Sequence, residues 1–248
     1  MFSDQRPSIV LSEGLIGALQ APAVPLERIP SAPEVSNMVA AAIATLSSRL
    51  TGSRFEVSPT VSCGSKRVVL TVRALDSDDA FVVKAADRGL GFSVGLSGNP
   101  ASAAAQMEWM TKYLALEQAV RCEESAWRIT VAPLVKGETV LDYISRRGLS
   151  DDDWKLGMQG IPTLMRAIWR HARSPIDPSL GLLLDHHFDN ILVGFKQPPF
   201  QDDERGARAR VVFVDQRDDG LYHPESTLED ALSDYLRIFK GNAYLRNS

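Results

Sequence analysis

Cysteine is scarce in this chain. Cys63 and Cys122 are the two among 248 residues, and no C-x-x-C pair is present, which excludes a disulfide-stapled scaffold and a thiolate zinc site. No apolar run approaches the roughly 18 residues that a bilayer-crossing helix needs, and no basic start leads into an apolar export core. The chain is therefore expected to act in the cytoplasm, neither spanning a membrane nor exported. Positive charge is not in excess either. Lys and Arg number 27 against 31 Asp and Glu, a formal net charge of −4, which excludes nucleic-acid binding through bulk positive charge. An anionic ligand would have to be met by local cations. No internal repeat is visible. What remains is ordinary for a globular protein, with 44% hydrophobic and 23% charged residues, and long enough for one large domain or two small lobes.

Residues 1 to about 32 are rich in Pro, Ser and Ala, with a short helical candidate around Ser12 to Gln20, and are expected to form a loosely held extension. Ser31-Ala-Pro-Glu34 then reads as a capping box. It opens a helix on which Val35, Met38, Val39, Ala42, Ile43, Leu46 and Leu50 recur at helical spacing. Phe55 to Val57, Val68 to Arg73 and Phe81 to Lys84 read as three strands, the last two joined by the polar turn Asp76-Ser-Asp-Asp79. Asn99 to Arg121 is expected to be helical, with Pro100 at its start. Ile129 to Gly137 reads as a strand leading into a helix from Glu138 to Ile144. Ser150-Asp-Asp-Asp153 should open a long helix to about Ala172, kinked or split by Pro162, its carboxylates serving as caps. Residues 197–210 have the composition of an exposed loop between two strands.

The chemistry-bearing residues cluster late in the chain. Asp185-His-His-Phe-Asp-Asn190 runs into the apolar stretch Ile191-Leu192-Val193, and Val211 to Val214 delivers Asp215. As a bare pattern D-x-x-x-x-N arises readily by chance. The flanking apolar strands give it weight, because they would hold a carboxylate in a loop, an amide oxygen at a strand edge and a second carboxylate nearby. Carboxylate and amide oxygens are hard ligands suited to Mg²⁺. His186 and His187 lack a third ligand at helical spacing and are not read as a metal site.

From about residue 55 to 240, these features resemble the protein-kinase-like superfamily, with details similar to phosphotransferases of the aminoglycoside and choline kinase type. Laid over the glycine-rich loop of protein kinases, the matching positions are Ser62, Gly64, Arg67 and Val69, and Lys84 ends a V-V-K where the conserved-type lysine of V-A-I-K stands. Gly64 alone keeps its glycine, with Ser65 beside it as a hydroxyl donor. Leu183 stands where the family's loop has its first histidine, and His187 where it has the second. Glu229 to Ile238 resembles the helix that the small-molecule kinases place after their metal aspartate.

The resemblance implies an α+β, bilobal protein-kinase-like fold with a small β-rich N-lobe and a helical C-lobe. Its expected bounds are a flexible extension over 1–32, an N-lobe over 33–131, a hinge over 132–137 and a C-lobe over 138–248. It implies ATP and Mg²⁺ as cofactors. Ser62, Gly64, Ser65, Val69 and Lys84 would line the nucleotide, with Glu108 as the acidic partner of Lys84 and Glu117 as the alternative. Asp185 would be the catalytic group that orients the attacking hydroxyl, and Asn190 and Asp215 the metal ligands. The acceptor would be a hydroxyl of a small molecule. Two alternatives stay open: an effector-type protein kinase acting on Ser or Thr of a partner protein, and a pseudokinase that binds nucleotide or a partner without turnover. Neither nucleic acid nor membrane is expected as a partner.

Overall fold

The computed structural model describes residues 7–20, 29–60, 67–87, 117–122, 125–145, 150–163, 166, 183–184, 191–200, 210–213, 216–217 and 227–244. They belong to two compact units. The first contains the described residues up to Asp87, those of 117–134 and those of 196–200; the second contains 135–195 and 210–244.

The first unit is built on a six-stranded sheet. In chain order its strands are β1 (Ser8–Leu11), β2 (Arg54–Pro59), β3 (Val68–Ala74), β4 (Ala80–Asp87), β5 (Gln118–Val120) and β6 (Trp127–Pro133). In space the order is β1-β2-β3-β4-β6-β5. All neighbours are antiparallel except β1 and β2, which are parallel. Period-two alternation explains the sheet's two faces. Phe55, Val57, Val68, Leu70, Val72, Phe81, Val83, Ile129 and Val131 turn to one side and form the apolar core. Against them lies the helix α2 (Ala32–Leu46), whose Val35, Met38, Val39, Ala42, Ile43 and Leu46 are buried as the helical spacing predicts.

The start of α2 is doubly fixed. Ser31 and Glu34 close the expected capping box, each side chain bonding the other's backbone N–H. Glu34 also accepts a bond from Trp127 Nε1 at 3.2 Å, which ties the helix N-terminus to β6. At the other end of the sheet, the β3–β4 turn acts as an anchor. Asp79, 5% exposed, accepts N–H bonds from Thr51 and Gly52 at 2.6 and 3.0 Å, and Asp76 accepts from Ser53.

Three expectations need correction in this unit. The segment expected as a loose extension carries β1, laddered to β2 from Ser8↔Arg54 to Leu11↔Val57. It continues into α1 (Glu13–Gln20), whose Leu15 is buried in the core. Pairing with a distant strand, invisible to local composition, orders it. The helix expected to run to Arg121 is overturned at its end, because Gln118–Val120 is strand β5, paired with Ile129–Val131. The loop expected to be exposed from residue 197 begins by turning back onto the sheet. Gln197 N–H donates to Leu134 O, Ala80 N–H donates to Pro198 O, and Phe200 packs on the apolar core.

In the second unit, β7 (Val135–Thr139), β9 (Ile191–Lys196) and β10 (Arg210–Phe213) form a sheet ordered β10-β9-β7. A two-stranded ladder joins β8 (Leu183–Leu184) to β11 (Gln216–Arg217). Gly137, expected to end a hinge, instead lies inside β7. The boundary between units falls between Leu134 and Val135. Gly137 and Gly194 meet across β7 and β9 so closely that a Cβ on either would lie 2.7 Å from the Cα of the other.

Among the described residues of this unit are also the helices Val140–Ser145, Asp151–Lys155 and Thr227–Tyr244. Ser150 and Asp153 form the N-terminal cap of the second of these, and the Tyr143 hydroxyl donates to Asp153. The chain then makes a π-helical turn over Leu156–Gly160, within the long helix that was expected to be kinked or split by Pro162. Pro162 has no N–H to give and its ring crowds the carbonyl four residues back, so the ladder loosens just upstream. Gly157 sits under the ring of Phe239, with no room for a Cβ, and its carbonyl accepts a bond from Tyr235 at 3.0 Å. Leu232, Tyr235 and Phe239 form the buried stripe of the last helix.

Candidate functional site

Lys84 lies on β4 in the row of residues that alternates with the apolar core. Its strand neighbours are Val69 on β3 and Thr130 on β6. The same face carries Val82, Ala86 and Ala132, all buried, so the lysine is set among short aliphatic side chains. It is itself 8% exposed. A lysine is seldom so buried unless its charge is compensated.

Glu117 supplies that compensation. Its Oε1 accepts from Lys84 Nζ at 2.8 Å and from Arg67 Nη1 at 3.3 Å, while its Oε2 accepts from the Thr130 hydroxyl at 2.8 Å. Glu117 stands just ahead of β5 and is 5% exposed. The pair is therefore carried by the sheet: β5 is laddered to β6, β6 to β4, and Thr130 on the intervening strand grips the carboxylate from the side. Both carboxylate oxygens are engaged by donors that are charged or well placed, which is how a buried carboxylate is tolerated.

The structure thus joins Val69 and Lys84, two of the expected nucleotide-lining residues, in one cross-strand pair. The acidic partner it gives Lys84 is Glu117, the alternative to Glu108. Glu108 lies outside the described residues, as do Ser62, Gly64, Ser65, Asp185, Asn190 and Asp215. Arg67 and Thr130 were not singled out as site residues by the sequence. Arg67 was read as a missing glycine, and the signal for Thr130 was a single hydroxyl in the apolar strand Trp127-Arg-Ile-Thr-Val-Ala-Pro133.

In the second unit the backbone ladders run up to the expected catalytic residues. Leu184 pairs with Gln216, and Asp185 follows the one while Asp215 precedes the other. Ile191 pairs with Phe213, and Asn190 precedes the one while Asp215 follows the other by two residues. Among the described residues no group of three or more His, Cys, Asp or Glu side chains could hold a metal ion, and no helix is long and apolar enough to cross a membrane.

No family model and no curated protein matches the chain. Among solved structures, it is similar to the crystal structure of Rad53 1-466 in complex with AMP-PNP, at 19% sequence identity and a TM-score of 0.36. That likeness covers 64% of this chain and 38% of the other, and at such a score no residue's role transfers from one to the other.

Proposed function

We propose that the protein is an ATP-dependent phosphotransferase with a bilobal, protein-kinase-like architecture, moving the γ-phosphoryl group to a hydroxyl of a small molecule. The observation that carries this reading is the buried Lys84–Glu117 pair at 2.8 Å, set beside Val69 on the face of the sheet away from the apolar core. A lysine fixed by a carboxylate presents a point charge suited to nucleotide phosphates. Asn190 and Asp215 would hold Mg²⁺, which neutralises phosphate charge when bound. Asp185 would accept a hydrogen bond from the attacking hydroxyl.

Two further features support the reading. The registers Leu184↔Gln216 and Ile191↔Phe213 converge on the chain positions of these three residues. The stretch Glu229 to Ile238, which resembles the helix that small-molecule kinases have after their metal aspartate, is helical within Thr227–Tyr244.

Calorimetric titration with ATP, in Mg²⁺ and in EDTA, followed by a transfer assay against hydroxylated metabolites and against protein extracts, tests the proposal. The expected result is Mg²⁺-dependent binding, lost in Lys84→Met, with transfer to a small molecule. Transfer to protein would move the acceptor to the effector-type reading, and binding without transfer would leave a pseudokinase. Absence of ATP binding would sink the proposal.

A further inference from the structure

Strand β1 is one edge of the six-stranded sheet, and among the described residues it pairs on one side alone, with β2. Ser8 N–H donates to Ser53 O at 3.0 Å and Ser12 N–H to Val57 O at 2.9 Å. Backbone groups alternate in direction along a strand, so Val10 also faces β2, while the N–H and C=O groups of Ile9 and Leu11 point outward. Among the described residues none of these four groups is hydrogen-bonded. Ile9 and Leu11 pack against the apolar core, and Val10, on the other face, is 45% exposed. Helix α1 packs on β2 and α2 on β1, β4 and β6, so both lie over the sheet and not along this edge. Sheet edges are commonly blunted by charged side chains. The opposite edge, β5, is followed by the exposed Arg121, whereas Pro7 to Ser12 carry no charge at all.

We infer that β1 is a self-association surface, to which a second copy of this chain adds its own β1 in antiparallel register. Antiparallel pairing sets outward-bonding residues opposite one another, so Ile9 of one copy meets Leu11 of the other and the two-fold axis passes between the two Val10 residues. That register satisfies all four outward groups of each strand. Centring on Ile9 would oppose Leu11 to Pro7, which has no N–H, and centring on Leu11 would oppose Ile9 to Glu13, already in α1. Val10 then faces its own copy as a non-hydrogen-bonded pair, the closer kind, with Cα atoms about 4.5 Å apart. Charge selects the occupant. Self-pairing of an uncharged strand brings no like charges face to face, and nothing on it attracts a charged partner strand. The contact is isologous and closes at two copies. Four residues make a short seam, so the dimer is expected to be weak, with Kd on the order of 10–100 μM. This inference does not depend on the nucleotide reading.

Sedimentation equilibrium of the full chain, at concentrations bracketing that Kd, is to be compared for the wild type, Val10→Lys, Val10→Glu and an equimolar mixture of the two variants, with thermal unfolding recorded for each. Val10 is exposed and lies outside the Lys84 site, so both variants should fold. The wild type is expected to dimerise. Each variant alone should dimerise at least about tenfold more weakly, because like charges meet at the axis, and the mixture should recover the dimer. A wild type that stays monomeric, as it would were this edge covered by another segment or kept for a different protein, would overturn the inference. So would a dimer of equal strength in both variants, or one that mixing fails to restore.

Discussion

The Lys84 ammonium and the Glu117 carboxylate meet at 2.8 Å with only 9% and 2% of their side chains exposed. Each has surrendered most of its hydration, and the contact replaces part of what water gave. Two buried charges in this state are worth little to stability as a pair, yet each becomes expensive once the other is removed.

Glu117→Leu should therefore destabilise the protein by about 3–5 kcal/mol, because Lys84 and Arg67 both lose their carboxylate and Thr130 its acceptor. Adding Lys84→Met to that variant should recover more than about 1 kcal/mol, since a buried cation that Glu117 had compensated is gone. Urea denaturation of the wild type, both single variants and the double variant gives the coupling directly. Additive losses would mean that the two side chains do not depend on each other.

Gly137 and Gly194 lie back to back in neighbouring strands, and a Cβ on either would sit 2.7 Å from the other's Cα. The obstacle is backbone on both sides, so no side chain can swing away to make room. Gly137→Ala and Gly194→Ala should each cost about 1–3 kcal/mol or more by forcing β7 and β9 apart. Thermal unfolding reads the effect, and a midpoint unchanged in both variants would contradict the close approach.

Asp79 links the β3–β4 turn to residues 51–52. Burial pushes its carboxyl upward, but the N–H groups of Thr51 and Gly52 and the hydroxyls of Thr51 and Ser77 together outweigh this, leaving it below its ordinary 3.8. A depressed native value means that the unfolded chain binds the proton first as pH falls. The contribution is complete above the unfolded value and disappears as pH drops through the native one. Stability should decline from about pH 5 downward, and Asp79→Asn should flatten that decline. Urea midpoints measured across this range decide it, an identical acid slope in the variant being the contrary outcome.

Much of the first unit was legible because its signals are local. Short apolar, β-branched runs over Val68 to Val72 and Phe81 to Lys84, separated by a polar turn, marked the strands, and Ser31 with Glu34 marked the start of α2. Strand β1 was missed because four residues of weak pattern become a strand only when β2 lies alongside. Strand β5 was hidden within a stretch rich in Ala, Leu, Glu and Gln, whose helical propensity is overridden by pairing with β6. The partner of Lys84 was only narrowed to two glutamates, since a contact spanning 33 residues is set by sheet register and not by nearby sequence. The expected loop from Asp185 to Asn190 lies outside the described residues, and of its surroundings the flanking apolar stretch Ile191–Lys196 is a strand, as its pattern suggested.

Asp185→Asn separates catalysis from binding. On the proposed reading its carboxylate faces the acceptor hydroxyl, so the amide should lower turnover by about 10²–10⁴-fold while leaving ATP affinity nearly unchanged. Asp215→Ala should behave differently, because loss of a metal ligand weakens Mg²⁺-dependent ATP binding itself, making affinity in Mg²⁺ approach that in EDTA. Both residues adjoin strands whose pairing, Leu184↔Gln216, is made by backbone groups, so neither substitution removes a ladder bond and both variants should fold. Calorimetry and a phosphoryl-transfer assay on the same preparations resolve the two effects. Should Asp185→Asn lose ATP binding in parallel with Asp215→Ala, the division of roles would be wrong, and Asp185 would belong with the metal ligands and not with the acceptor.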